Sequence, residues 1–252
     1  LMIGPESGAI QVGMRRSAQL HGVVLEELDA HQCATRFPTF KLPPGMRALF
    51  EPGAGFLHVE AAVRQMSRLA EKRGATLFCD ERVLSWQSQS NHIEVITTRR
   101  TIQTGRLVLT AGPWINSLLG AQRLPLTLHK MMMMWFAPAT VDCRTLPGFG
   151  YDLPGGFFYG LPQVSEFGVK IGKHVAECPL DDADALDRGL SELHAGPLRE
   201  FARDYLPFVS DRVTRHAACL YTMTPDEDFI IDVLPSDPRV VFASSCSGHG
   251  FK

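Results

Sequence analysis

None of the six cysteines, Cys33, Cys79, Cys143, Cys178, Cys219 and Cys246, forms a Cys-x-x-Cys pair. That spacing gives a zinc ribbon no ligand set, and a chain of 252 residues needs no disulfide staples to hold its core. A Gly-x-Ser-x-Gly elbow is missing too. Ser245-Cys246-Ser247-Gly248 lacks the first glycine, which argues against a hydrolase nucleophile. Long apolar runs are absent: residues 131–138 fall far short of a membrane span, and no segment has the pattern of a secretory leader. Excess charge of one sign is lacking as well. Lys plus Arg is 25, Asp plus Glu is 27, and the net charge is −2. A nucleic-acid coat or a polybasic membrane binder is therefore excluded. Asp181, Asp182, Asp184 and Asp187 cluster without the glycine and distal glutamate of a calcium loop, so no metal site is expected.

What remains is an ordinary globular composition, 45% hydrophobic and 21% charged. Residues 58–73 are the clearest helix: Val59, Ala62, Val63, Met66, Leu69 and Ala70 recur at three and four, and Gly74 follows as a stop. Strands are expected at 46–50, 75–79, 82–86, 92–98 and 106–110. The last runs into Ala111-Gly112-Pro113-Trp114 and a short helix at 115–119. Residues 1–22 read as two short alternating pieces and 24–37 as helical or irregular. Residues 126–136, with four consecutive methionines, read as a central strand or a substrate wall. Strands are expected around 157–160, 167–171, 217–221, 229–232 and 240–243. A helix is expected to start at 179–194 and another to open at Pro197. A strand feeding an Ala-Gly turn and helix suggests the edge of a nucleotide-binding sheet, and 240–243 feeding Ser244 to Lys252 suggests a second such turn.

The fold class is α/β, of α+β character. Residues 51–125 and 219–252 carry nucleotide-sheet character and interleave with mixed-sheet segments 1–50 and 126–218. The chemistry-bearing constellation is Tyr159, Lys170, His174, Cys219, Tyr221, His249 and Lys252. On a strand, Lys170, Gly172 and His174 share one face, and Gly172 leaves room for a planar group against the backbone. Two basic groups over that spot suit an anionic substrate or a negative charge developing during reaction. A hydrolase using Cys219 or Ser247 with His174 or His249, and a non-catalytic binding module, are the rival readings.

Several segments resemble the monomeric sarcosine oxidase family, which includes N-methyltryptophan and pipecolate oxidases. They are Thr110-Ala111-Gly112-Pro113-Trp114, Tyr159-Gly160-Leu161-Pro162, Val169-Lys170-Ile171-Gly172-Lys173-His174, Cys219 through Asp232, and Ser247-Gly248-His249-Gly250-Phe251-Lys252. The resemblance implies a Rossmann-like FAD-binding domain interleaved with a substrate domain, and FAD held covalently at its 8α position by Cys219. It implies oxidation of an N-methyl or other secondary amino acid at its C–N bond. The products are an imine, hydrolysed to the amino acid and formaldehyde for N-methyl substrates, and H2O2 from O2. A cyclic imino acid oxidase, or a truncated binding protein that retains the scaffold, is the alternative. By the same resemblance Lys170 activates O2, His174 contacts the substrate amine, Tyr159 and Tyr221 line the pocket, and Lys252 pairs with the substrate carboxylate. Val83, Ala111, Gly112, Trp114, Gly248, His249, Gly250 and Phe251 contact FAD. The Gly-x-Gly-x-x-Gly that seats the pyrophosphate in the family does not occur in these residues. The resemblance therefore places the chain in the interior of a longer one. A monomer is expected, in the cytoplasm or in peroxisomes, with no nucleic-acid or membrane partner.

Overall fold

The computed structural model describes residues 1–139, 141–174 and 179–251. In chain order its elements are β1 (Met2–Pro5), α1 (Ala9–His21), β2 (Glu26–Leu28), α2 (Ala30–Arg36), β3 (Met46–Phe50), α3 (Val59–Lys72), β4 (Val83–Ser88), β5 (Ile93–Thr97), β6 (Thr101–Thr104) and β7 (Leu107–Leu109). There follow α4 (Ile115–Leu119), β8 (Thr127–Pro138), β9 (Phe149–Leu153), β10 (Gly156–Leu161), β11 (Val169–His174), β12 (Pro179–Leu180), α5 (Glu192–Tyr205), β13 (Val209–Met223), β14 (Ile230–Val233) and β15 (Val240–Ser244). The fold is α/β, and its residues divide into two compact units. The first holds 1–56, 130–178 and 187–219; the second holds 57–129, 179–186 and 220–252.

The first unit is built on a mixed sheet in the order β8-β11-β10-β9-β1-β3-β2, with β13 against β8. β1 pairs with β9 in parallel, while the β1–β3, β2–β3, β9–β10, β10–β11 and β8–β11 pairings are antiparallel. One face of the sheet meets α5. Met132, Met134 and Phe136 from β8, Val169 and Ile171 from β11, and Phe158 from β10 bury with Ala195, Leu198, Phe201 and Ala202 of the helix. Phe158 and Phe201 stack at 4.5 Å, and Tyr151 meets Phe201 edge-on at 5.2 Å. From Met132 to Phe136 the run follows the strand period: the even members enter the core, while Met133 and Trp135 are half-buried on the opposite face; Met131 before them is buried as well.

In the second unit β14-β15-β7 form one sheet and β4-β5-β6 another. Ile93, Val95, Leu109, Ile115, Leu119, Leu234, Val240 and Phe242 make its core. β15 runs parallel to β7, with Val240 beside Leu107 and Phe242 beside Leu109. Asp237 accepts from the Arg239 guanidinium and from Ser88 Oγ, which fastens the β14–β15 turn to β4. No helix among the described residues is long and apolar enough to cross a membrane.

Four local expectations change. Residues 9–21 form a helix rather than alternating strands, closed by Gly22 at φ 65°. Its only buried residue is Gln11, whose amide donates to the Met2 and Arg47 carbonyls. Residues 75–79 make no strand: the Ala75 N–H turns back to the Ala70 carbonyl at the end of α3, no strand pairs with the segment among the described residues, and Leu77 and Phe78 remain exposed. Residues 179–191 hold the short β12 and a 3-10 turn rather than a helix start. The helix expected to open at Pro197 opens at Glu192. The proline removes the N–H that would bond the Leu193 carbonyl, one turn back in the exposed start of the helix.

Candidate functional site

The free face of the first unit's sheet is set out by register. β11 places Lys170 opposite Trp135 of β8 and Leu161 of β10. It places Gly172 opposite Met133 and Tyr159, and His174 opposite Phe157. Lys170, Gly172 and His174 therefore lie in line, and the planar group over Gly172 is the protein's own. A Cβ built on Gly172 would fall 2.7 Å from both Cζ and the hydroxyl oxygen of Tyr159. Any residue but glycine would push this tyrosine off the sheet. Phe157 extends the aromatic row, nearly parallel to Tyr159 at 6.5 Å and edge-on to His174 at 6.5 Å.

Lys170 carries its ammonium 5.6 Å from the Trp135 ring centroid, while the Arg215 guanidinium approaches the same ring at 5.1 Å and Phe167 at 4.6 Å. Aromatic faces attract cations, so Trp135 helps fix a lysine that would otherwise sweep a wide arc. Cys219 is half-buried on β13. Burial pushes its thiol pKa up, and the charges of Lys170 and Arg188 pull it back. Arg188 also donates to the Ala218 carbonyl at 3.0 Å.

The second unit holds the remaining described candidates. β7 and β15, parallel neighbours, end at one edge of their sheet, and each releases the chain into a turn. After β7 the turn is Ala111-Gly112, with Gly112 at φ 51° and open space where a side chain would stand. After β15 the chain takes positive φ at Ser245, Ser247 and Gly248, 64°, 45° and 78°. Ser247 Oγ donates to the Thr222 carbonyl at 2.9 Å and the His249 N–H donates to the Cys246 carbonyl at 2.6 Å. The hydroxyls of Ser244 and Ser245 are buried without a hydrogen-bond partner among the described residues. Tyr221 lies against Gly248, while Gly250 and Phe251 are exposed. Val83, at the start of β4, is half-buried against the unit's core. Trp114 donates to Asp184 at 2.7 Å and lines a cavity of about 400 Å³ with Asn116, Arg123, Leu126 and Asp182. Lys252 lies outside the described residues. No group of three metal-ligating side chains occurs among the described residues.

The neighbours of three residues of this arrangement could not be read from the sequence. Trp135 and Met133 become neighbours of Lys170 and Gly172 only through the β8–β11 register, and Arg188 reaches a carbonyl 30 positions away.

Comparison with known proteins identifies relatives of the chain and its family. The chain is 30% identical over 260 residues to the monomeric sarcosine oxidase of Bacillus sp. (strain B-0618), covering 100% of this chain and 66% of that protein. It is 32% identical over 254 residues to the N-methyl-L-tryptophan oxidase of Yersinia pestis (strain Pestoides F), covering 99% and 67%. The chain thus spans about two thirds of the length of these relatives. Among solved structures, NikD, an amino acid oxidase essential for nikkomycin biosynthesis, superposes with a TM-score of 0.80 at 24% identity, covering 96% of this chain and 67% of NikD. The L-proline dehydrogenase of P. horikoshii superposes with a TM-score of 0.80 at 19% identity, covering 99% and 67%. These two likenesses establish the fold. A family model described as FAD dependent oxidoreductase (DAO) matches residues 4–252, and the chain belongs to that family.

Proposed function

We propose that this chain is the larger part of an FAD-dependent oxidase that acts on the C–N bond of a secondary amino acid, with an N-methyl amino acid as the preferred class. The observation that carries the reading is the grouping of Lys170, His174 and Tyr159 around Gly172 on the sheet face turned away from the core. In this reading residues 1–50 and 126–218 bind substrate, and residues 51–125 and 219–252 bind FAD.

The residues present fit that cofactor. Two parallel strands deliver glycine turns at one sheet edge, where α/β proteins bind nucleotides. The positive-φ run from Ser245 to Gly248 turns backbone donors into a concave, anion-accepting surface, and two buried serine hydroxyls beside it lack partners among the described residues. FAD bound here would supply the two-electron acceptor and pass the electrons to O2. His174 would contact the substrate near its reacting amine, with Tyr159 lining the pocket beside it. Lys252 takes the carboxylate. Lys170 places a fixed positive charge where negative charge develops on dioxygen, which a preorganised ammonium stabilises without rearrangement. The backbone donors of Gly248 to Phe251 would favour negative charge on the bound ring. Cys219 would be the residue that holds the flavin covalently.

Oxygen uptake by the flavin-loaded full-length protein tests the proposal. Sarcosine, N-methyltryptophan, pipecolate and proline are offered in turn. Uptake with equimolar H2O2, and formaldehyde from the N-methyl substrates, is expected. Formaldehyde-free turnover of pipecolate or proline alone would move the enzyme to the cyclic class, and no uptake with any of them would overturn the reading.

A further inference from the structure

We propose that Arg188 is a positioning residue for Cys219, holding the strand carbonyl before it and supplying positive charge that favours the reactive thiolate. The inference rests on the covalent role given to Cys219 above and names what prepares that thiol.

Arg188 precedes α5 and is exposed, so its solvation alone would leave it free to extend into water. Instead Nη1 donates at 3.0 Å to the carbonyl of Ala218, a buried residue whose peptide leads directly into Cys219. The bond spans 30 residues and ties the segment before α5 to β13. It fixes the peptide plane from which the Cys219 side chain departs. The charge of Lys170, on β11, favours ionisation of the same thiol, so cations on two separate elements act on it. Burial, the largest influence, opposes them and raises the thiol pKa.

The thiol proton must leave for the sulfur to act as a nucleophile. Thioether formation joins Sγ to the flavin 8α carbon. The thiol S–H and one methyl C–H bond break, two protons are released, and two electrons enter the ring. O2 takes up the electrons and protons as H2O2, so one thiol, one methyl group and one O2 give one thioether and one H2O2. Lys170 has a second proposed duty toward O2, whereas the hydrogen bond of Arg188 goes to the residue next to Cys219.

The test uses the full-length protein prepared without flavin, with Arg188→Gln, Arg188→Met and Arg188→Lys. Cys219 alkylation by iodoacetamide is followed by mass spectrometry against pH. After addition of FAD, the flavin that stays on the acid-precipitated polypeptide is followed against time. Thermal unfolding confirms that each variant is folded, and the two neutral replacements guard against failure of either. Arg188→Gln and Arg188→Met are expected to move the alkylation midpoint upward and slow covalent attachment by about tenfold, the loss of thiolate for one unit of pKa. Arg188→Lys is expected to restore most of the midpoint and part of the rate. A folded neutral variant with the parent's midpoint and attachment rate would overturn the proposal. If the parent releases all its flavin in acid, the covalent role of Cys219 falls, while the alkylation midpoints still decide whether Arg188 governs the thiol.

Discussion

Tyr221 lies across Gly248, so closely that a Cβ on the glycine would stand 2.5 Å from the tyrosine Cζ. The glycine also holds φ at 78°, a conformation that other residues adopt at a cost of about 1–3 kcal/mol. Gly248→Ala therefore carries both backbone strain and a collision. We expect a loss of stability of that order, with Tyr221 displaced from the loop after β15. Thermal unfolding reads the first effect, and an altered flavin absorbance spectrum in the loaded protein reads the second. An unchanged spectrum together with an unchanged unfolding temperature would contradict the packing.

Lys170 and Trp135 face each other across β11 and β8, and the ammonium stands over the indole. Removing the charge with Lys170→Met is expected to slow reoxidation of the reduced flavin about 100-fold, the usual loss when one electrostatic stabiliser is deleted. Reduction by substrate should change far less. Trp135→Leu keeps the charge but frees the lysine, so its reoxidation rate should fall between parent and Lys170→Met. Stopped-flow measurement of the two half-reactions separates these outcomes. Equal slowing of both half-reactions would remove Lys170 from its role toward O2.

The sequence disclosed elements whose hydrophobic period is self-contained. The stripe Val59, Val63, Met66 and Leu69 announced α3, and alternation in Ile93, Val95 and Thr97 announced β5. Period two also put Lys170, Gly172 and His174 on one face. It could not say what lies across from them, because Trp135 and Tyr159 arrive by registers set between distant strands. Gly172 was legible as a place for a planar ring, but not that the ring is Tyr159. The methionine run gave no period because both faces of β8 are apolar; only α5 on one side and β11's basic face on the other separate its odd from its even members. Residues 75–79 show the reverse failure. β-branched and aromatic character suggested a strand, yet strands exist only in pairs. The stripe of α3 carries the same lesson, for its residues are exposed and amphipathicity names a face without naming what packs on it.

The contact between Gly172 and Tyr159 leads to a third expectation. Gly172→Ala inserts a methyl group 2.7 Å from the tyrosine ring and hydroxyl, and the ring must move. Overpacking of this kind costs about 1–3 kcal/mol. Because Tyr159 borders the proposed substrate position, KM for the amino acid should rise more than kcat falls. Tyr159→Phe in the same background should leave the rise in place, since the collision involves the ring as well as the hydroxyl. Steady-state kinetics on the four proteins of this cycle decide it, and a Gly172→Ala enzyme with parental KM would place the substrate elsewhere.

Asp237 offers a prediction about stability and pH. The Arg239 guanidinium, Ser88 Oγ and the Arg239 backbone N–H all donate to its carboxylate and hold its pKa well below the usual carboxylate range. Its folded-state pKa is thus lower than its unfolded one. The carboxylate contributes stability above the unfolded value of about 3.9 and loses that contribution as pH falls toward the folded value. Asp237→Asn should lower the unfolding temperature at pH 7, and the gap between parent and variant should narrow below about pH 4. Since the side chain ties β4 to the turn before β15, local hydrogen exchange at Ser88 and Val240 should rise in the variant before global unfolding does. A gap that stays constant down to pH 2 would mean that shape, and not charge, is what Asp237 contributes.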